Sequence, residues 1–392
     1  MTRGRVLRIL LATAADVDQG RGDSTHILAL YKYLRGIAEV SLLHRGKIGT
    51  VAGRMESGTE ARSIGNLFKM VTYHAVLAVW VIAIANRDTV VYCRDWSVAL
   101  VAGLLKTTRG FRVIYEANSL VSVEMRLTVG RNLSRPFGIL QEFAFVAADA
   151  IVAVTSRLAE SIRASLEGRK PTILVIPNAG DSEFEPLPKK VARMRLGLGE
   201  ELPIVGFVGN LGPWQGLGLL IRAFAILRSQ LPPAELVIVG DGPERTRLEA
   251  MVKQIGLASN VRFVGSVPHT IALEYVCAFD VGTIPYESSL LYDAIGRSPI
   301  KAYEYMACNC PIVAGSYPEL AEDIVRARCG LIVPPNDSVA FAREIVSLLE
   351  DKERASEIGR AGREYVVSHR SWSRAASQIM DLCYDLVGES SE

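Results

Sequence analysis

The sequence is dominated by short apolar runs that alternate with longer amphipathic stretches. Runs rich in Val and Ile, typical of buried strands, occupy residues 6–13, 40–44, 89–93, 112–115, 150–154, 173–176, 204–209, 235–239, 261–264, 281–284, 312–314 and 330–333. Stretches of helical period lie between them, for example at 24–35, 137–147, 156–166, 217–230, 244–255 and 338–349. Apolar strands that alternate with helices are typical of parallel sheets covered on both faces. The pattern predicts an α/β fold.

The predicted strands form two groups of six, one before residue 180 and one after residue 203. The segment between them carries Pro177, Pro186 and Pro188 together with several charges, which is typical of a linker. We therefore expect two Rossmann-like domains of similar size that face each other across a cleft. Open parallel sheets bind ligands at the carboxyl ends of their strands, so the loops at those ends are the candidates for function.

The composition excludes several classes of protein. The 392 residues include 44 Lys and Arg against 42 Asp and Glu, a net charge of +2, whereas a dedicated nucleic-acid binder carries a basic stripe. The six cysteines form no C-x-x-C pair, so they indicate free thiols in a reducing compartment rather than a disulfide framework or a zinc site. The five histidines show no H-E-x-x-H spacing, and no G-x-S-x-G elbow occurs, which disfavours a zinc or serine hydrolase.

The chain is slightly apolar for a cytosolic enzyme, with a mean hydropathy of +0.22. Its N-terminal apolar run resembles a signal peptide, but Arg8 interrupts the run, which favours a first buried strand. No stretch of 18 uncharged apolar residues occurs, so no membrane-spanning helix is expected. Residues 66–85 predict a helix with little polar face, which either packs in the core of the first domain or dips into a membrane surface.

Two glycine-rich turns follow strands of the second half. Gly209, Gly212 and Gly216 precede a predicted helix, but they lack the G-x-G-x-x-G spacing of dinucleotide-binding proteins, which disfavours a nicotinamide dehydrogenase. The turn also lacks the G-K-S/T of a P-loop. The next strand ends in Gly240-Asp241-Gly242-Pro243. Glycines at such turns let backbone amides approach a ligand.

The segment after the tenth predicted strand is the most informative. Ser298 suits a helix N-cap and Pro299 the first helical position, which places Lys301 at the third. A cation there opposes the helix dipole, unless it and the free amides of the first turn hold an anion together. Glu304 lies one turn onward on the same face and could accept two hydrogen bonds from a ribose diol. The alternative is an exposed lysine that pairs with this glutamate.

Polar residues also follow the predicted strands of the first half, as active-site candidates or as ordinary loop caps. They are Arg94 and Asp95 after the third strand, and Glu116 and Asn118 after the fourth. The turn after the first strand carries Asp18 and Gly22 and leads into a helix expected to begin near Ser24, with His26 beside the turn.

In chain order, these segments resemble glycosyltransferase family 4. The matching pieces are V-I-P-N-A at 175–179, V-G-N-L at 208–211, W-Q-G at 214–216, V-G-D-G-P at 239–243, V-R-F-V-G at 261–265, S-P-I-K at 298–301, E-Y-M-A at 304–307 and G-L-I-V-P-P at 330–335. Each piece is modest, but the ordered set is specific and covers nearly the whole chain. The resemblance implies a GT-B fold and retaining transfer of a sugar from a nucleoside diphosphate, most commonly of uridine or guanosine, to an acceptor hydroxyl.

The resemblance also implies a division of labour along the chain. Residues 1–178 would bind the acceptor, 179–200 would form the linker, 201–368 would bind the nucleotide-sugar, and 369–392, around Trp372, would form a helix that crosses back to the first domain. No carboxylate is clearly a nucleophile, so we expect front-face attack through an oxocarbenium-like transition state. No metal or other cofactor is expected, and we expect a cytoplasmic enzyme, at the inner face of the membrane if residues 67–85 contact it.

The residues assigned to each role follow from the matched motifs and the strand ends. The catalytic candidates are Lys301, Glu304, Asn118 and Glu116. The donor-binding candidates are Gly22, Gly209, Asn210, Trp214, Gln215, Gly240, Asp241, Gly242, Arg297, Ser298, Pro299, Ile300, Lys301 and Glu304. The acceptor-side candidates are Asp18, His26, Arg94, Asp95 and Asn118. The acceptor itself would be a glycan, a lipid-linked sugar or a small molecule of a cell-surface glycan or glycolipid pathway.

The chain departs from the family pattern at four positions. The N-terminal loop has Arg21-Gly22 where the family has a pair of glycines. Asn210 and Gln215 stand where many members carry Arg and Lys, and Gly296 stands at the first position of the E-x7-E pair that Glu304 completes. We expect Lys301, with Arg297 and the helix amides, to stabilise the departing diphosphate instead. The departures keep two alternatives open: a catalytically silent subunit that binds sugar nucleotides, and a GT-B epimerase or phosphorylase.

Overall fold

The computed structural model describes residues 7–15, 17, 22–44, 63–129, 131–166, 168, 171–231, 233–286 and 294–388. Side chains are described for all of these except residues 22–23, 63–71, 127–129 and 131–133. The described residues contain twelve strands and fifteen α-helices. They divide into two compact units.

The first unit comprises Met1–Pro177 and Ala375–Glu392 and is built on one parallel sheet. Its strands are β1 (Arg8–Thr13), β2 (Glu39–His44), β3 (Thr89–Cys93), β4 (Arg112–Ala117), β5 (Ala150–Ala153) and β6 (Thr172–Val175), in the order β2-β1-β3-β4-β5-β6. Its helices are α1 (Gly22–Arg35), α2 (Ser63–Ile84), α3 (Trp96–Arg109), α4 (Val121–Val129), α5 (Arg131–Ala147) and α6 (Ser156–Ser165).

The second unit comprises Asn178–Arg374 and has a second parallel sheet. Its strands are β7 (Ile204–Val208), β8 (Glu235–Val239), β9 (Val261–Gly265), β10 (Val281–Ile284), β11 (Ile312–Gly315) and β12 (Gly330–Val333), in the order β12-β11-β10-β7-β8-β9. Its helices are α7 (Lys189–Leu196), α8 (Leu217–Gln230), α9 (Arg245–Gln254), α10 (His269–Ala278), α11 (Ile300–Ala307), α12 (Leu320–Ala327), α13 (Ser338–Glu350) and α14 (Lys352–His369). The last helix, α15 (Trp372–Gly388), lies mostly in the first unit.

Strand β7 shows how the second sheet divides two apolar cores. Ile204 and Val208 pack into the core that includes α10 and α11, while Val205 and Phe207 pack into the core that includes α8 and α13. This alternation follows from the two-residue period of a strand. At Gly206 a Cβ would lie 1.9 Å from the ring of Phe279, so only glycine fits there.

The two six-stranded parallel sheets predicted from the sequence are confirmed. The boundaries differ in detail. Helix α1 begins at Gly22 rather than near Ser24. The expected linker, residues 179–200, contains α7 and groups with the second unit, and α15 begins at Trp372. Arg112 Nε donates a hydrogen bond to the carbonyl oxygen of Leu386 over 3.1 Å, which ties α15 to the first sheet.

Helix α2 presents apolar residues both to the core and to the surface. Tyr73, Leu77 and Val81 are buried at helical spacing, whereas Val79 and Ile82 are exposed. No charged residue occurs between positions 75 and 85. The buried residues agree with the expected core helix, and contact of this segment with a membrane stays a prediction. Among the described helices, none has the length and apolarity that crossing a bilayer requires.

Candidate functional site

Two glycine loops lie against each other at the carboxyl ends of β7 and β8. The Gly209 amide donates to the carbonyl oxygen of Val239, and the Leu211 amide donates to that of Asp241. A Cβ at Gly240, where φ is 129°, would lie 2.0 Å from the carbonyl oxygen of Gly209. A Cβ at Gly209 itself would lie 2.7 Å from Lys301 Nζ. The absence of side chains therefore lets the Lys301 ammonium reach the loop after β7.

Helix α11 delivers this lysine, but it begins one residue later than predicted. Pro299 is the N-cap, with an extended backbone, and Lys301 is the second helical residue. The prediction of Ser298 as N-cap is wrong, because its hydroxyl is used elsewhere. Ser298 Oγ accepts a hydrogen bond from the Asn178 amide over 3.1 Å and lies 3.2 Å from Tyr303 Oη. The segment 178–180 thereby holds the residue that precedes the helix cap.

Lys301 is a buried cation with spare hydrogen-bonding capacity. Its side chain is 8% exposed, and Nζ donates to Gln215 Oε1 over 2.7 Å. Within the described part of the chain this is the only hydrogen bond of an ammonium that carries three donors. The ammonium also lies 4.0 Å from the ring centroid of Phe207 and 5.5 Å from that of Tyr286. Burial lowers the pKa of Lys301 to about 7, although the charge of Glu304 acts to raise it.

A second buried cation lies two residues before the cap. The Arg297 guanidinium lies over the ring of Tyr286 at 4.4 Å and over the ring of Tyr317 at 5.2 Å. Its positive charge further lowers the pKa of Lys301. Two buried cations beside the amino end of α11 make this place strongly electropositive, because the helix dipole adds positive potential there. An anion is the ligand that such a place stabilises.

Glu304 does not form the helix-surface pair with Lys301 that was the alternative reading. Its Oε1 lies 2.7 Å from His269 Nε2, at the start of α10. Burial lowers the pKa of His269, but the hydrogen bond and the charge of Glu304 outweigh it, so the pKa is raised overall. Sequence reasoning missed His269, because it lies 35 residues away and belongs to no matched motif.

A buried carboxylate on α12 supports the same helix. Asp323 accepts hydrogen bonds from Tyr303 Oη and Tyr365 Oη, each over 2.9 Å, and its two oxygens also accept from the Arg370 guanidinium. Since Tyr303 Oη also lies beside Ser298 Oγ, the network fixes the start of α11 from its far side. Asp323 was not predicted, and its partners lie 20 to 47 residues away in the chain.

The remaining donor-binding candidates differ in exposure and in their hydrogen bonds. Trp214, in a 3₁₀ turn at Pro213–Gln215, and Asn210 are exposed, while Gln215 is buried. Asp241 accepts from the Gly242 amide and from Arg245, and the backbone hydrogen bond is the main reason that its pKa is lowered. Pro299 and Ile300 are half-buried at the start of α11. Gly22 begins α1, which belongs to the first unit.

In the first unit, Glu116 is the centre of a buried polar cluster. Its Oε2 lies 3.0 Å from His26 Nε2 and accepts from Tyr92 Oη over 2.5 Å. Its Oε1 accepts from Asn118 Nδ2 over 3.1 Å and lies 3.4 Å from Arg94 Nε. Burial alone would raise the pKa of Glu116, but His26, Arg94 and the hydrogen bonds lower it to about 2. Glu116 is therefore an ionised carboxylate that holds four polar side chains in place.

Asp95 has a local structural role next to this cluster. Its Oδ2 accepts from Thr13 Oγ1 over 2.8 Å and from the Ala14 amide over 2.7 Å, so it secures the turn that follows β1. Asp18, predicted in the same turn, lies outside the described residues. In the part of the chain that the structure describes, no three His, Cys, Asp or Glu side chains converge as a metal ion requires.

Comparison with known proteins agrees with this architecture. Residues 189–365 match the family model described as "Glycosyl transferases group 1". The chain is 31% identical over 238 residues to a GDP-mannose-dependent alpha-(1-6)-phosphatidylinositol monomannoside mannosyltransferase of Mycolicibacterium smegmatis, covering 59% of this chain and 61% of the relative. It is 28% identical over 241 residues to the 2-deoxystreptamine glucosyltransferase of Streptomyces kanamyceticus, covering 60% of each. The chain thus spans about three-fifths of the length of these relatives.

Two solved structures share the fold over nearly the whole chain. A sucrose-phosphate synthase from Thermosynechococcus elongatus superposes with a TM-score of 0.79 at 22% identity, covering 98% of this chain and 100% of that one. Anabaena HepE, crystallised in complex with UDP-glucose, superposes with a TM-score of 0.70 at 16% identity, covering 97% and 100%. These likenesses bear out the predicted GT-B fold.

Proposed function

We propose that this chain is a retaining glycosyltransferase of family 4, which transfers a sugar from a nucleoside diphosphate to an acceptor hydroxyl. The observation that carries the proposal is the buried Lys301 ammonium, which has a single neutral hydrogen-bond acceptor in the described chain. A buried cation is costly unless it is paired. A diphosphate at the carboxyl end of β7 would supply the missing negative charge.

On this proposal, the second unit binds the donor. Lys301, Arg297 and the first amides of α11 contact the diphosphate, and the glycines at 209 and 240 let it approach the backbone. The Oε2 atom of Glu304, which receives no hydrogen bond from any described residue, is available to the ribose hydroxyls. The curated relatives are named for GDP-mannose dependence or as a glucosyltransferase, which supports a sugar-nucleotide donor.

The chemistry requires charge stabilisation more than covalent catalysis. The bond between the anomeric carbon and the diphosphate oxygen breaks, and the acceptor oxygen forms a new bond on the same face. The acceptor proton passes to the departing phosphate oxygen. Preorganised cations aimed at a developing negative charge lower the barrier to such a departure. We propose that Lys301 and Arg297 fill this role without a metal ion, so that activity should survive a chelator.

We assign the acceptor to the first unit. Arg94, Asn118 and His26 are held around Glu116, and Asp95 secures the adjacent turn. We interpret Glu116 as a residue that positions these groups, since its own oxygens are already engaged. One relative is named for a phosphatidylinositol mannoside acceptor and another for 2-deoxystreptamine, and both acceptors carry sugar or cyclitol hydroxyls. A glycan or lipid-linked acceptor of cell-surface biosynthesis fits this pattern.

We further propose that the enzyme acts in the cytoplasm at the inner face of the membrane. Positions 75–85 carry no charged residue, and Val79 and Ile82 are exposed in this part of α2, which supports contact with lipid. An apolar face at a membrane interface gains the free energy of the buried surface.

One alternative has an observation in its favour. Asn210, Gln215 and Gly296 replace residues that the family commonly carries, so the chain could bind sugar nucleotides without transferring them. Release of nucleoside diphosphate from UDP- and GDP-sugars, measured with and without a panel of hydroxyl acceptors, separates the two. A transferase releases diphosphate much faster with its acceptor present. A silent subunit releases none, and a GT-B epimerase releases it without any acceptor.

A further inference from the structure

The contact between α10 and α11 is polar and short. His269 Nε2 and Glu304 Oε1 are 2.7 Å apart, at the lower end of the range for charge-assisted N–H···O bonds. The glutamate side chain is 15% exposed and the histidine side chain 38% exposed, so both lie at the surface of the unit rather than in its core. The hydrogen bond joins the first residue of α10 to a carboxylate on α11 that is still partly accessible to a ligand.

The carboxylate that His269 holds still has capacity for a ligand. An ionised carboxylate offers about four lone-pair sites, and His269 occupies one of them. Glu304 lies one helical turn after Lys301 on the same face of α11. In a nucleoside diphosphate the ribose adjoins the diphosphate, and its vicinal hydroxyls suit a carboxylate that lies one helical turn from the cation.

The charges around His269 favour its protonated form. Burial opposes the charge, but Glu304 on α11 and Asp181 before α7 outweigh burial and raise the pKa of the imidazole. A protonated imidazole is a donor only, so it cannot compete with the ribose hydroxyls by accepting from them. Its hydrogen bond to Oε1 restricts the orientation of the Glu304 carboxylate.

From this geometry we propose that His269 is a positioning residue, which orients the Glu304 carboxylate so that its remaining lone pairs accept the hydroxyls of the donor's ribose. The inference rests on the proposed function, because it presumes that a nucleoside diphosphate binds at Lys301. It adds a residue from β9–α10, outside the matched motifs, to the part of the site that recognises ribose.

A hydrogen bond that only joined α10 to α11 would give a different pattern of nucleotide binding when His269 is replaced. Loss of such a tie would weaken binding of every nucleotide to the same degree, whereas loss of a positioning residue should weaken only the contact with ribose. The matched probes are UDP and GDP against their 2′-deoxy and 3′-deoxy forms. The variants are H269A, H269Q, which keeps a donor, and E304A, with thermal melting as the check on folding.

We expect the wild-type protein to bind the deoxy forms at least ~10-fold more weakly than the ribonucleotides, since hydrogen bonds to a charged group are worth about 1.5–3 kcal/mol. In H269A this difference should fall below about 3-fold, and H269Q should restore part of it. An unchanged difference in H269A, together with its loss in E304A, would overturn the positioning role alone. No difference in the wild-type protein would overturn the ribose contact as well, and no binding of UDP or GDP would overturn the proposed function itself.

Discussion

At the scale of single residues, the side chain of Lys301 is buried in the absence of any ligand. Lys301 has a pKa of about 7, because burial disfavours its charge and Arg297 repels it. A bound diphosphate would raise the pKa of Lys301 again, because its negative charge favours the charged form of the amine. Gln215 Oε1 is the neutral acceptor of the hydrogen bond that Lys301 Nζ donates in the absence of a ligand.

This arrangement predicts a pH dependence of donor binding. Above pH 7 the free protein has lost the Lys301 proton, so binding must take one up, and the dissociation constant should rise about tenfold per pH unit. In K301R the side chain stays charged over this range, so the dependence should largely disappear. Calorimetry of UDP and GDP between pH 7.5 and 9, in buffers of different ionisation enthalpy, measures both the affinity and the proton uptake.

Two outcomes of this experiment would contradict the predicted titration of Lys301. Affinity that is flat with pH in the wild-type protein, or an equal decline in K301R, would place the titrating group elsewhere. Glu304 and Arg297 are the other charged groups whose charges act on the pKa of Lys301.

The candidate residues differ in how far sequence could identify them. Lys301 and Glu304 could be identified from the sequence, because a helix start and an i,i+3 pair are local patterns. The roles of His269 and Asp323 and the contact between His26 and Glu116 could not be identified in this way. The residues in these contacts lie 20 to 90 positions apart in the chain. Ser298 fails as a predicted cap for the same reason: its hydroxyl bonds with Asn178, 120 residues distant.

At the scale of elements, the two glycine loops carry a specific steric demand. The Gly240→Ala variant would place a Cβ 2.0 Å from the Gly209 carbonyl oxygen, at a φ of 129° that other residues rarely adopt. We expect the free energy of unfolding to fall by about 2–4 kcal/mol from strain and overpacking combined. Chemical denaturation followed by fluorescence measures the change.

Gly197→Ala is the matched control for this variant. Gly197 also has a positive φ, 62°, but a Cβ there would meet no atom within 4 Å. Gly197→Ala should lower the free energy of unfolding by only about 1–2 kcal/mol, the cost of a left-handed backbone conformation in a residue with a Cβ. Equal losses in the two variants would show that the loops after β7 and β8 are not in close contact.

The elements themselves were the most predictable part of the molecule. All twelve strands follow from apolar runs. The interior strands need apolar residues at nearly every position because they are buried on both faces, whereas edge strands such as β2 and β6 are partly exposed. The ends of helices were less accurate, as at Gly22 and Pro299, where tertiary contacts and turn geometry decide the boundary. The order of strands within each sheet requires long-range pairing, and no local pattern encodes it.

At the scale of the whole molecule, the uncharged face of α2 predicts behaviour at membranes. The wild-type protein should sediment with vesicles that contain anionic lipid, and the V79D/I82D double variant should bind at least ~5-fold less, because it places charge on the exposed apolar face that would enter the lipid. L28D is the control, since Leu28 is also an exposed apolar residue but lies on α1. Absence of binding, or an equal loss in the control, would leave α2 as a helix that only covers the first sheet.

The central claim is that Lys301 stabilises the departing diphosphate, and one measurement tests it most directly. Turnover of the donor and acceptor pair found by the release assay should be compared in the wild-type protein, K301A and K253A, a lysine on the exposed side of α9. Removing one preorganised charge donor should lower turnover in K301A by at least ~10²-fold, with K253A unchanged. A fall of less than about threefold in K301A, in a protein that melts at the wild-type temperature, would contradict the account.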